Sequence, residues 1–123
     1  VSYGSQLNIF RAKSNQYGDE WNAIICVDNA NELHIAVGDA AEQLHGQYNR
    51  ATQTMRVPNG AELRFRIIND YMDAERAFCG NEFTQIAFVH RPKDTTIIEL
   101  ARSRLRSRTV PGEELRYEYC CIY

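Results

Sequence analysis

The chain has 123 residues, with 44% hydrophobic and 24% charged side chains and a formal net charge of −2. This is the composition of one folded domain spanning 1–123, and it excludes a disordered chain. No apolar run approaches the ~20 residues of a membrane span, so no membrane partner is expected.

The net charge conceals a segregation. Residues 1–49 hold Arg11 and Lys13 against Asp19, Glu20, Asp28, Glu32, Asp39 and Glu42. Residues 50–108 hold eleven basic residues against seven acidic ones, enough for a local positive field.

Val1-Ser2-Tyr3-Gly4-Ser5 lacks the basic and apolar pattern of a signal peptide, and the numbering is read as starting at a mature end. Gln6–Lys13 predicts a first strand, with Leu7, Ile9 and Phe10 supplying apolar bulk. Ser14–Glu20 reads as a polar loop, and Trp21–Cys26 as a short apolar strand. Leu33, Val37, Ala40, Ala41 and Leu44 then recur at three- and four-residue spacing, which predicts a helix from about Asn31 to His45. Asn29-x-x-Glu32 supplies a capping box, and Gly46 a stop.

Thr52–Val57 leads into the turn Pro58-Asn59-Gly60. Ala61–Ile68 alternates: Leu63, Phe65 and Ile67 face one way, Glu62, Arg64 and Arg66 the other. Asn69–Glu82 is a connection with one helical turn at Asp73–Phe78. Phe83–His90, Thr95–Leu100 and Leu115–Ile122 predict further strands. Arg102, Arg104, Arg106 and Arg108 alternate strictly and would line one face of a strand, as a phosphate ridge or as a charged edge that resists aggregation. One helix on a mainly antiparallel sheet makes the expected class α+β.

Four cysteines, Cys26, Cys79, Cys120 and Cys121, show no CxxC or Cys/His spacing of a zinc site and favour a secreted, disulfide-stabilised protein. A bond between adjacent Cys120 and Cys121 is strained. That leaves Cys26 with one of them and Cys79 with the other. A bond from Cys26 to the C-terminus would close a loop of about ninety residues, worth about 4 kcal/mol in the chain-entropy model.

A cysteine before one helix, Leu44-His45-Gly46-Gln47-Tyr48-Asn49 after it, Glu62-Leu63-Arg64-Phe65, Glu75-Arg76-Ala77-Phe78, Ile86-Ala87-Phe88-Val89-His90 and Arg116-Tyr117-Glu118-Tyr119-Cys120 follow in order. This order resembles the small secreted fungal guanine-specific ribonucleases, in particular the ribonuclease-like effectors of powdery mildews. The likeness spans roughly residues 26–90 and 115–121. It implies a helix on one sheet face and a site on the other. His45 is similar to that family's first histidine, Glu62 to its catalytic glutamate, Arg76 to its phosphate-binding arginine, His90 to its second histidine, and Tyr117 to its terminal aromatic. The chain departs from the family in lacking the proline before the first histidine, the Glu-x-Pro strand and the Gly-Pro-x-Arg-Val-Ile segment, and it runs 33 residues past His90. These departures favour a catalytically impaired protein. The resemblance implies a secreted monomer that binds RNA or host plant proteins, an immune receptor among them, with the host-cell cytoplasm as its place of action. The alternative is an active endoribonuclease.

Metal-free RNA cleavage needs a base for the 2′-hydroxyl, an acid for the leaving oxygen and a cation for the phosphorane. Glu62 or His45 would serve as base, His90 as acid, and Arg76 or Arg64 as cation, with Arg64, Arg66 and Tyr117 holding RNA. The plainer reading makes Glu62, Arg64 and Arg66 a solvated strand face, His45 a helix-end residue and His90 a packed histidine. No metal or other cofactor is expected, because no histidines sit at ligand spacing. A different class of function, a secreted sugar-binding or inhibitory protein, would use Trp21 and the seven tyrosines.

Overall fold

The most apolar stretch of the chain lies at the centre of the fold. In the computed structural model, which describes residues 3–105 and 116–119 and the side chains of residues 7–105, β1 (Asn22–Val27) has five buried residues in succession. A strand buried on both faces needs cover on both sides, the usual situation of a parallel sheet. β1 accordingly lies between β4 (Glu62–Ile67) and β5 (Gln85–Phe88), and runs parallel to both. β2 (Gln47–Asn49) and β3 (Thr54–Arg56) extend the sheet antiparallel beyond β4, and β6 (Arg116–Tyr119) lies parallel beside β5. The order is β2-β3-β4-β1-β5-β6.

Helices cover both faces. α1 (Tyr3–Tyr17) and α2 (Ala30–Leu44) place Leu7, Phe10, Ala36, Ala40 and Leu44 against Ala23, Ile25, Leu63 and Phe65. α3 (Tyr71–Phe78) and α4 (Thr95–Arg104) place Ala74, Phe78, Ile97 and Ala101 against Ile24, Cys26, Ile86 and Phe88. The α+β class holds. The single helix on a mainly antiparallel sheet does not: the described residues form four α-helices on a mixed sheet.

Two predicted strands are helices, for identifiable reasons. Leu7, Phe10 and Ser14 are buried at three- and four-residue spacing, so a helical face outweighs the local Leu7/Ile9 alternation. Ile97, Ile98 and Ala101 are buried on α4, whose β-branched opening resembles a strand but is capped by Asp94 accepting from the Thr96 N–H at 2.9 Å. Arg102 and Arg104 therefore sit on a helix rather than a strand face, and Arg106 and Arg108 lie outside the described residues.

The α2 start is reciprocal. Asn29 Oδ1 accepts from the Glu32 N–H at 2.9 Å, and Glu32 Oε1 accepts from the Asp28 N–H at 2.9 Å. Such a cap contributes about 1 kcal/mol. At its other end, His45 rather than Gly46 takes the left-handed conformation (φ 55°), donating its N–H to the Ala41 carbonyl at 3.0 Å. Gly46 answers to a close approach: a Cβ there would stand 2.5 Å from the Met55 Cγ.

Among the described residues Cys26 and Cys79 are free thiols; their expected partners Cys120 and Cys121 lie outside the described residues. The side chain of Cys26 is packed between the sheet and its α3/α4 layer, 2% exposed, whereas Cys79 stands exposed at the end of α3. Burial pushes the Cys26 thiol far above its ordinary value, against the opposing pull of the Arg66 charge. The thiolate is the reactive form. Iodoacetamide should therefore alkylate Cys79 and spare Cys26 in the native protein, and modify both in guanidinium. Peptide mapping that finds the two labelled at similar native rates would refute this packing.

Candidate functional site

The sheet places the four residues of the expected catalytic set apart. Glu62 opens β4 and pairs in register with Asn22, the first residue of β1. His90 follows β5, whose Phe88 pairs with Cys26 near the end of β1. At about 3.3 Å per residue, Glu62 and His90 lie roughly 20 Å apart, at opposite ends of the strands. His45 ends α2, while the His90 partner Glu32 lies in its first turn. Thirteen residues of helix at 1.5 Å each separate those positions by about 20 Å as well. Arg76 lies on α3, on the other sheet face from α2, and pairs with Asp73 at 3.5 Å. A single acid–base constellation from His45, Glu62, Arg76 and His90 is thus not formed, because parallel strands send consecutive loops to opposite ends.

The strand face expected to bind RNA does gather. Arg56, Arg64 and Arg66 join Tyr48, Asn49 and Arg50 in an open groove of about 870 Å³ on β2, β3 and β4. The register builds it: Thr54 pairs with Arg64 and with Asn49, and Arg56 pairs with Glu62. Arg56 Nη2 and Glu62 Oε1 are 2.6 Å apart, an exposed pair of small energetic worth. Among the described residues, Arg50, Arg64 and Arg66 have no ion-pair partner.

Two of the groove arginines are held in place. Arg64 stacks its guanidinium over the Phe83 ring at 5.7 Å. Arg66 Nη1 donates to the Gln53 and Phe65 carbonyls at 3.0 and 2.8 Å. Burial, then the like charge of Arg64, lowers the Arg66 pKa from its ordinary value. Tyr48, in register with the buried Met55, turns its ring to the core face and packs edge-on against Phe65 at 5.8 Å; burial raises its phenol pKa against the pull of Arg66 and Arg50. The side chain of Tyr117 lies outside the described residues; its backbone pairs with Ile86 in register.

A second group forms at the carboxyl ends of β1 and β5. His90 Nε2 lies 2.7 Å from Glu32 Oε2, and one ligand atom each from Asp28, Glu32 and His90 falls within 4.8 Å of the others. Asp28 and His90 also border a crevice of about 500 Å³ with Asn69, Lys93 and Asp94. Histidine spacing in the sequence does not reveal this group, because two of its members are carboxylates and the third arrives through strand pairing. The Asn29-x-x-Glu32 cap was the available signal for Glu32.

The aromatic expected for sugar binding is structural. Trp21 is 3% exposed, donates Nε1–H to Gln85 Oε1 at 3.1 Å and stacks on Tyr17 at 5.7 Å. Comparison of the chain with known proteins finds no matching family model, no matching curated protein and no matching solved structure.

Proposed function

We propose that this chain is a nucleic-acid-binding domain that holds a phosphate backbone in the arginine groove without cutting it. The carrying observation is the convergence of Arg50, Arg56, Arg64 and Arg66 from the turn after β2, from β3 and from β4 into one open groove. Guanidinium groups suit phosphate oxygens through their planar forks, and backbone contacts of this kind supply affinity independent of sequence. Three arginines without a described carboxylate partner give the groove a positive field despite the net charge of −2. The dispersal of His45, Glu62, Arg76 and His90 argues against cleavage, so this is the non-cutting branch of the ribonuclease-like expectation.

Fluorescence anisotropy with a labelled single-stranded RNA and a DNA duplex, across a salt series, tests the reading. Binding should weaken steeply with salt. Arg64→Ala/Arg66→Ala should weaken it about ten- to a hundredfold and flatten the single-strand salt slope by roughly 1.4. Arg11→Ala, on the opposite face, should change neither. RNA incubated with chelator should stay intact. Cyclic-phosphate ends that disappear in Glu62→Gln or His90→Ala would instead establish the active endoribonuclease, and salt-independent or absent binding would end the proposal.

A further inference from the structure

We infer that Asp28, Glu32 and His90 form a binding site for a divalent cation of the first transition series. The inference is independent of the arginine groove, which lies on β2, β3 and β4. Three features of the geometry carry it.

The first is convergence from distant segments. Phe88 pairs with Cys26 in parallel register, and Asp28 and His90 each stand two residues further along their chains. The adjacent strands β1 and β5 therefore deliver a carboxylate and an imidazole side by side, from positions far apart in sequence. Glu32 reaches back from α2 and completes a set whose ligand atoms lie within 4.8 Å of one another, so that small side-chain rotations bring all three within bonding distance of one ion.

The second is preorganisation. Glu32 Oε1 is fixed by the Asp28 N–H at 2.9 Å, which orients Oε2 toward His90 Nε2 at 2.7 Å. Its carboxylate is held before any ion arrives.

The third is location. The helix after β1 lies on one sheet face and the helix after β5 on the other. This is a switch point of the sheet, and ligands of open sheets built on parallel strands bind outside the carboxyl ends of strands at such points. The crevice of about 500 Å³ beside Asp28 and His90 leaves room for water or another ligand on the ion.

Two carboxylate oxygens and one imidazole nitrogen suit Mn²⁺, Co²⁺ or Zn²⁺ better than Mg²⁺ or Ca²⁺, which take oxygen ligands alone. Mn²⁺ is the probe of choice, because the exposed Cys79 thiol would compete for zinc. The full chain, freed of metal by chelator and dialysis, is titrated with Mn²⁺ and followed by electron paramagnetic resonance. We expect saturable binding of one ion per chain, weakened at least tenfold by Asp28→Asn and by His90→Ala, and unchanged by His34→Ala and His45→Ala. Nuclear magnetic resonance of the unsubstituted protein gives a readout that no substitution can disturb. Substoichiometric Mn²⁺ should broaden the ring signals of His90 before those of His34 and His45. The site is refuted by the absence of saturable binding, by full affinity in both variants, or by broadening centred elsewhere. The cluster is then a hydrogen-bonded ion pair only.

Discussion

Phe65→Ala should cost about 3–5 kcal/mol of folding stability, a large share of the 5–15 kcal/mol typical of a domain. The ring sits on β4 with no exposed surface, faces α2 across the sheet and meets Tyr48 edge-on at 5.8 Å. Truncation removes the transfer energy of a phenyl group and leaves a cavity whose walls belong to a strand paired on both sides, so relaxation is limited. Chemical denaturation followed by circular dichroism measures the loss, and Phe65→Leu should recover most of it. A cost below about 1 kcal/mol would mean that the ring is not packed as described.

Phe83→Ala should cost about the same from the opposite face. Phe83 is fully buried, meets Phe78 edge-on at 6.0 Å and lies beneath the Arg64 guanidinium at 5.7 Å. Its loss therefore has a second readout that Phe65→Leu lacks. Arg64 loses the surface that orients it, so nucleic-acid affinity should fall at salt concentrations where the variant is still folded. The two rings belong to separate cores divided by the sheet. The milder pair Phe65→Leu and Phe83→Leu should combine additively to within about 0.5 kcal/mol, which equilibrium denaturation of the double variant tests.

Much of the local structure was legible because periodicity and burial agree there. α2 begins one residue before the expected start and ends one before the expected end, and β1, β4 and β5 fall within or beside their predicted spans. The alternation of Leu63 and Phe65 against Glu62, Arg64 and Arg66 matches the structure, since one face of β4 is core and the other carries the groove. Ile24-Ile25-Cys26 carried a further message: apolar side chains pointing both ways require cover on both faces, which one helix cannot give. The candidate site was legible only in part. Arg64 and Arg66 share a strand and could be grouped by counting. Arg50 and Arg56 join them through hairpin pairing, and Asp28 meets His90 through parallel pairing of β1 with β5. Such long-range register is fixed by topology, which a single sequence does not print.

The position of β1 also bears on how the chain comes into being. Its backbone donates and accepts across to Thr84, a neighbour 62 residues later, and to β4 in between. On the ribosome, at about 5–20 residues per second, the most oily segment of the protein emerges early and waits several seconds for both partners. Until β5 has left the exit tunnel, one edge of β1 offers unpaired peptide groups to any passing strand. The yield of native protein should then depend on translation speed and on holding chaperones more than on the final stability of the fold.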